Sequence, residues 1–269
     1  MKSRSFKLSL SITDLPLNVS VESMFRLASD LKLDGVEIYP GLKTFPHISL
    51  LLKFIKKYKI PVLTIHYPIW ITQIVISFNS AFKLARELDS SIVIHPLSEN
   101  LNSHKQAKFF KTISALAQKN KINIFLENLP KRSTLPIYKY FSKTDSSLNN
   151  LRQLNTYAKK YNFGLVFDTA HYQCDSPYLD IDFLNVFKDI KNIHLSDFTL
   201  SKQHLNLGEG VLNFKGLLNF LIKNRYQGIV TLEYSPRLFE KSKSYQEAVK
   251  TGIGVIRFFS KHALRTSVT

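Results

Sequence analysis

Eight short runs rich in β-branched residues alternate with longer amphipathic segments along this 269-residue chain, and few folds are compatible with that alternation. Segments such as 21–31 and 82–88 have apolar residues spaced by three and four, which is typical of helices. Strands that are apolar on both faces and separated by helices belong to parallel sheets, because crossover helices cover the outer face. We therefore predict an α/β fold, a single (β/α)8 barrel with one helix after each strand. The predicted strands are Phe6 to Ile12, Gly35 to Tyr39, Val62 to His66, Ser91 to His95, Ile122 to Glu127, Phe163 to Asp168, Asn192 to Leu195 and Ile229 to Glu233.

The composition is that of one globular domain. Hydrophobic residues are 44% of the chain and charged residues 21%, a mixture that supports a large core and excludes disorder as the main state. No Gly/Ser-rich linker divides the sequence, and barrels of this kind use about 250 residues for one core. We therefore expect a single domain over residues 1–269, with a frayed tail at 263–269. The long intervals 129–147 and 196–213 are predicted to form the wall of a substrate site.

The expected compartment is the cytoplasm. Cys174 is the only cysteine and has no partner for an internal disulfide. The first residues alternate polar and apolar side chains, unlike a signal peptide, and no run approaches about 18 consecutive apolar residues. We therefore expect a soluble protein with no membrane partner.

Most predicted strands end in a side chain that can bind a metal or transfer a proton. These residues are 26 to 41 positions apart in the sequence, and they are Glu37, His66, His95, Glu127, Asp168, His194 and Glu233. The carboxyl ends of barrel strands converge on one rim, so distant residues can reach a single ion there. Three carboxylates and one imidazole, from Glu127, Asp168, His194 and Glu233, suit Mn²⁺, Mg²⁺, Co²⁺ or Zn²⁺. One such carboxylate alone is explained by a helix cap or an ion pair, whereas four successive strand ends favour a bound cation.

The motifs FLEN, VFDTAH, IHLSD and TLEYSP, at these strand ends, resemble those of the xylose isomerase-like barrel superfamily, over about residues 5 to 262. That superfamily includes sugar and sugar-phosphate isomerases and epimerases, and the endonuclease IV family of abasic-site nucleases. The resemblance implies that Glu127, Asp168, His194 and Glu233 are the shared metal quartet. It also implies that Glu127 and Glu233 exchange protons with the substrate, and that Asp168 to His171 is a DxxH motif.

The chemistry implied is isomerisation or epimerisation of a sugar or sugar phosphate. A divalent ion on a ketose carbonyl and its neighbouring hydroxyl acidifies the carbon-bound proton and stabilises an enediolate. One glutamate removes the proton, and the other or the same one returns it. His171 has two open interpretations, a hydrogen bond to a substrate oxygen or support of a ligand. Glu37 likewise fits a substrate contact or a structural ion pair.

Several further histidines keep a nuclease interpretation open. His66, His95 and His204 resemble additional zinc ligands of the endonuclease IV family, and HLSD…HLNLGEG is close to its motif. Where that family has an aspartate before the loop histidine, this chain has Lys202, which leaves only His171 and His204 for a third zinc. His66 and His95 are therefore candidates either for a second metal or for the lining of a sugar pocket. The GEG at 208–210 predicts a tight turn with positive φ.

The formal charge of +17 is compatible with both interpretations. It favours DNA through phosphate neutralisation, but the excess consists mostly of lysine, 28 Lys against 9 Arg, spread over helix faces. Lys131, Arg132 and Arg237 lie near the predicted rim and are candidates for holding a substrate phosphate. The leading prediction is the isomerase or epimerase. The alternatives are an abasic-site phosphodiesterase acting on DNA and a non-catalytic metal- or sugar-binding protein. The sequence specifies neither the sugar, the metal nor the oligomeric state.

Overall fold

The computed structural model describes residues 5–12, 19–39, 48–67, 78–97, 101–130, 149–235, 239 and 242–262. Eight parallel strands form a closed barrel in chain order, with the last strand paired to the first. This confirms the predicted (β/α)8 barrel, and the strand ends differ from the predicted ones by at most two residues. The strands are β1 (Lys7–Ile12), β2 (Gly35–Ile38), β3 (Val62–Tyr67), β4 (Ser91–Ile94), β5 (Ile124–Glu127), β6 (Gly164–Asp168), β7 (Ile190–Leu195) and β8 (Ile229–Leu232).

Helices cover the outside of the barrel. Polar side chains begin several of them: Ser20, Ser103 and Asn150 each accept a hydrogen bond from the backbone N–H three residues ahead. Within the described residues the α-helices are α1 (Val21–Asp30), α2 (Ile48–Tyr58), α3 (Phe78–Leu88), α4 (His104–Asn120), α5 (Leu151–Tyr161), α6 (Thr169–Tyr172), α7 (Ile181–Val186), α8 (Phe214–Lys223) and α9 (Ser242–His262). None of these helices is long and apolar enough to cross a membrane.

The segment between β6 and β7 departs from the predicted pattern of one helix per strand. Asp168 caps α6 by accepting a hydrogen bond from the His171 N–H, and the short helix ends where Gln173 adopts a left-handed conformation. A 3₁₀ turn beginning at Pro177 follows, and Asp180 then caps α7. A second 3₁₀ turn, Phe187–Asp189, leads into β7, so the connection consists of four short pieces. The left-handed Gln173 ends the first of them after one turn, and the cap at Asp180 begins the third.

The barrel interior has an apolar arc and a polar arc. Side chains alternate along a strand, so Ile92 and Ile94 of β4 pack into the main core under the helices, whereas Val93 points inward. Val93 forms a small separate cluster with Phe125 and Val166 on β5 and β6. The other strands place buried polar side chains inward, and these are Ser9, Ser11, Glu37, Thr64, Asn192 and Thr231. Hydrophobic packing accounts for the residues of the apolar arc. The polar arc lies beneath the candidate site.

Candidate metal centre

Six side chains at the carboxyl ends of the strands point into the mouth of the barrel and are buried there. His66, Glu127, Asp168 and His194 lie on β3, β5, β6 and β7, while His95 and Glu233 directly follow β4 and β8. Each stands two positions beyond an inward-facing residue of its strand, such as Phe125 below Glu127, because side chains on one face recur every second residue. Strand register thus brings residues from 66 to 233 into one layer.

Four of these side chains converge on one point, and they are the quartet predicted from the sequence. Glu127, Asp168, His194 and Glu233 each offer one ligand atom, and these four atoms all lie within 4.8 Å of one another. From His194 Nδ1 the distances are 2.9 Å to Glu233 Oε2, 3.3 Å to Glu127 Oε1 and 3.9 Å to Asp168 Oδ2. Oxygen-rich sets with one imidazole are a normal environment for divalent cations.

The hydrogen bonding of the quartet tests whether it fits an ion. Glu127 Oε1, Asp168 Oδ2, His194 Nδ1 and Glu233 Oε2 are buried and have no hydrogen-bond partner of suitable geometry among the described residues. In Asp168 and His194, the polar atom that points away from the quartet is hydrogen-bonded. Asp168 Oδ1 accepts from the His171 N–H at 2.8 Å, and His194 Nε2 donates to Glu37 at 3.1 Å. Buried polar atoms rarely lack partners, since each costs about 1–3 kcal/mol. Four such atoms facing one point fit a divalent cation.

The electrostatics of the quartet also favour a cation. Burial raises the pKa of Asp168, against the attraction of His171 and His204. Burial opposes a charged His194 most strongly, yet the combined attraction of Glu37, Glu233 and Glu127 raises its pKa well above the ordinary histidine value. In the metal-free protein a proton on His194 thus balances part of the carboxylate charge. A divalent ion would replace that proton and balance more.

A second group shares Glu127. His66 Nε2 and His95 Nε2 lie 3.2 and 3.1 Å from Glu127 Oε2, and 3.1 Å from each other. Burial lowers the pKa of His95, whereas the pKa of His66 is raised because the attraction of Glu127 and Glu37 outweighs its burial. The two carboxylate oxygens of Glu127 therefore face two different ligand groups, as in a bridging carboxylate. The residues of this group could hold a second ion.

A third group lies at the edge of the site. Asp168, His171 and His204 each offer an atom within 4.8 Å of the others, and the two imidazole rings are 5.1 Å apart. The sequence offered only His171 and His204 here because Lys202 replaces an acidic residue, and Lys202 is exposed in the structure. Asp168 supplies the carboxylate instead, a contribution that the spacing of residues does not reveal.

Two residues that the sequence reasoning missed organise the rim. Asn128 accepts from the Asp168 N–H at 2.8 Å and donates to the Asp168 carbonyl at 3.2 Å, which ties β5 to β6 beside the quartet. Asp197 is fully buried and accepts from the N–H groups of Phe198, Leu212 and Gly208 at 2.8–2.9 Å. Asp197 thus shapes the loop that carries His204. In the sequence, these two residues are the Asn that follows Glu127 in the motif FLEN and the Asp of the motif HLSD, and both motifs mark the ends of strands.

The GEG turn of this loop is confirmed in part. Gly208 has φ +95°, which an L side chain rarely adopts. Gly210 is needed for another reason, because a Cβ there would lie 2.2 Å from the Phe198 carbonyl oxygen. The turn therefore folds tightly against the residues that follow β7.

The remaining candidates are distributed differently. Glu37 is fully buried within the polar arc, where it bonds His194, Thr64 and Asn192. His171 is close to the surface of the site, and Asp168 and Glu127 raise its pKa to about 9 although burial opposes this most strongly. Lys131, Arg132 and Arg237, the candidate phosphate contacts, lie outside the described residues.

Comparison with known proteins places this geometry among related barrels. The uncharacterized protein MJ1311 of Methanocaldococcus jannaschii is 29% identical over 186 residues, which are 64% of this chain and 58% of that protein. The structure resembles 3-keto-D-glucoside 4-epimerase YcjR from E. coli, with a TM-score of 0.68, 17% identity and coverage of 92% of this chain and 98% of the other. It also resembles an AP endonuclease of family 2 from Brucella melitensis, with a TM-score of 0.66, 18% identity and coverage of 88% and 95%.

At these identities the solved structures share the fold with this chain. A family model described as the xylose isomerase-like TIM barrel matches residues 25–257, a range that contains every residue of the three ligand groups. The sequence match and the closed barrel agree, and the chain belongs to the family of xylose isomerase-like TIM barrels.

Proposed function

We propose that this protein is a divalent-metal-dependent isomerase or epimerase of a sugar or sugar phosphate. The observation that carries the proposal is the convergence of four buried ligand atoms at the barrel mouth that make no hydrogen bond of suitable geometry with any described residue, and two of these atoms belong to glutamates. The likeness to a 3-keto-D-glucoside epimerase supports a sugar as the substrate class. Glu127, Asp168, His194 and Glu233 would hold the divalent ion, which would supply Lewis-acid polarisation of a ketose carbonyl and so make the neighbouring C–H group more acidic.

The two glutamates would then move the proton. Glu127 comes from β5 and Glu233 follows β8, so their carboxylates enter the site from different parts of the rim. That placement suits removal of a proton on one side of a substrate carbon and its return on the other side or to the next carbon. The pKa of Glu233 is lowered, because attraction by His194 outweighs the opposing effect of burial, and the residue is therefore ionised and able to accept a proton.

His171 is proposed to hold the substrate. Its Nδ1 donates to the Asn128 carbonyl at 2.9 Å, which leaves Nε2 free to donate to a substrate oxygen. Its raised pKa favours the doubly protonated ring that such donation requires. For a sugar phosphate, Lys131, Arg132 and Arg237 are the proposed phosphate contacts.

Exchange of substrate hydrogen with solvent tests the proposal. The metal-loaded protein is incubated in D₂O with a panel of ketoses and ketose phosphates, and deuterium in the recovered sugars is measured by mass spectrometry. We expect incorporation at the carbon next to the carbonyl, lost in Glu127→Gln and Glu233→Gln but kept in the control Glu209→Gln, whose side chain is in an exposed turn. Absence of exchange with every sugar, despite bound metal, would contradict an isomerase or epimerase.

A second candidate is an abasic-site phosphodiesterase, which the group of His66, His95 and Glu127 favours. A carboxylate shared between two ligand sets is suited to a pair of metal ions, and paired ions stabilise the attacking and leaving oxygens of a phosphodiester. The test is nicking of a labelled duplex with one abasic site, together with the metal count per chain. Two or more zinc ions with nicking that is lost in His95→Ala would favour the nuclease, and one ion without nicking would favour the epimerase.

A further inference from the structure

Both nitrogens of His194 have defined surroundings. Nδ1 faces the quartet, with Glu233 Oε2 at 2.9 Å, and Nε2 points below it to Glu37 Oε2 at 3.1 Å. The two residues are 157 positions apart in sequence and come from β7 and β2. The contact therefore crosses the interior of the barrel.

Glu37 is fixed as an acceptor in this contact. Its Oε2 also accepts from Thr64 Oγ1 at 2.7 Å and from Asn192 Nδ2 at 3.3 Å, and Thr231 Oγ1 holds the Asn192 side chain at 2.9 Å. Because Thr64 Oγ1 and Asn192 Nδ2 both donate to Oε2, this oxygen is the acceptor in the contact with His194 as well. The proton between the two groups therefore resides on His194 Nε2.

We propose that Glu37 is a positioning residue that prepares His194 to bind the metal. By accepting the Nε2 proton it fixes the orientation of the ring and leaves the lone pair of Nδ1 directed at the quartet. Histidines that bind metals generally have their second nitrogen bonded to a carboxylate, a carbonyl or water, and this partner tunes the ligand. The inference rests on the proposed metal site and not on the identity of the substrate.

The layout of the interior supports this role. On the side of β4, β5 and β6 the layer below the ligands is apolar, with Val93, Phe125 and Val166. Among the described residues, the only carboxylate in that layer is that of Glu37, which lies under His194. It is surrounded by hydroxyl and amide donors. A buried carboxylate needs such donors, so the polar arc provides the hydrogen bonds that hold Glu37 as an acceptor beneath His194.

The affinity of Glu37→Gln for Zn²⁺ and Mn²⁺ tests the inference. The substitution keeps the shape of the side chain but removes its charge, and its amide can donate to Nε2 and so favour a proton on Nδ1. We expect affinity to fall by about 10–100-fold, the usual effect of losing a partner of a ligating histidine. Ser9→Ala is the matched control, because Ser9 is buried in the same arc and its hydroxyl makes no hydrogen bond to Glu37, Asn192 or the quartet among the described residues, so this variant should bind both metals like the wild type. Equal affinity in Glu37→Gln and the wild type would overturn the proposal.

The wild type alone provides a second test, independent of whether the variant folds. In the Zn²⁺-loaded protein labelled with ¹⁵N at histidine, we expect one imidazole with a metal-bound Nδ1 and a slowly exchanging proton on Nε2, assigned to His194. A His194 proton on Nδ1, or zinc bound through Nε2, would overturn the role of Glu37. If the wild type binds metal with this signature but exchanges no sugar hydrogen, the proposed function fails while the role of Glu37 stands. If the wild type binds no metal, both fail.

Discussion

Replacing Asp168 by Asn should change the stability of the metal-free and the metal-bound protein in opposite directions. Asp168 Oδ2 is buried without a hydrogen-bond partner in the described structure and faces Glu127 and Glu233 within 4.8 Å. Asn places an N–H₂ donor among these carboxylates and removes one like charge. The other oxygen of Asp168 caps α6 through the His171 N–H, and the Asn carbonyl can keep that bond.

The size of the effect in the metal-free protein follows from the unpartnered oxygen. Satisfying a buried polar atom is worth about 1–3 kcal/mol, and each kcal/mol shifts the melting temperature by about 2–4 °C in a domain of this size class. The sign agrees with the raised pKa of Asp168: the folded state binds this proton more tightly than the unfolded state, so ionisation at neutral pH costs stability. The metal-free variant should therefore melt a few degrees above the metal-free wild type.

In the presence of metal the order should reverse. At a free metal concentration about 1,000 times Kd, binding adds about 4.1 kcal/mol to the stability of the wild type. If loss of one ligand weakens binding about 1,000-fold, the variant gains only about 0.4 kcal/mol at the same concentration. The difference of about 3.7 kcal/mol exceeds the metal-free gain of about 1–3 kcal/mol, so thermal melts with EDTA and with Mn²⁺ or Zn²⁺ should give opposite orders. A metal-free variant less stable than the wild type, with an unchanged shift on adding metal, would contradict the role of Asp168 as a ligand.

Four further predictions concern separate features. Asp197→Asn is the same substitution outside the quartet, and it should lower the free energy of unfolding of the metal-free protein in urea by about 1–3 kcal/mol, because three backbone N–H groups lose a carboxylate acceptor. Unchanged stability would contradict the role of Asp197 in the loop. Glu127→Gln should abolish turnover, weaken metal binding and lower the melting temperature of the metal-free protein, because the buried charges of His194 and His66 lose a carboxylate partner; full activity with normal metal content would remove Glu127 from the site. Lys202→Asp should raise the zinc content measured by elemental analysis, and an unchanged content would show that the new carboxylate does not reach His204. The pKa of Asp189 is lowered, since Lys159 at 2.9 Å and a hydrogen-bonding amide outweigh its partial burial. Its stabilisation is therefore present above about pH 4 and lost as the pH falls further, so Asp189→Asn should flatten the stability profile below about pH 5, and an identical profile would contradict this.

Much of the fold follows from short-range information. A strand needs only a few β-branched residues and a helix a spacing of three to four, so eight alternating units were recognisable without any contact being known. The segment after β6 was not, because α6 begins at the cap formed by Asp168 and ends after one turn at the left-handed Gln173. Such capping replaces a long helix with several short ones and leaves little trace in hydrophobic spacing.

Local sequence pattern is enough to identify the residues at the strand ends, because the alternation of one strand and one helix places Glu127, Asp168, His194 and Glu233 on one rim. How these side chains face one another depends on the three-dimensional arrangement of the whole barrel. The strand register and the closed barrel aim the free atoms of the quartet at one point, let Glu127 face two ligand groups, and bring Glu37 under His194 from the opposite side. Hydrogen bonds between residues 157 positions apart depend on barrel closure and strand stagger, which are properties of the whole sheet and not of any local stretch of sequence.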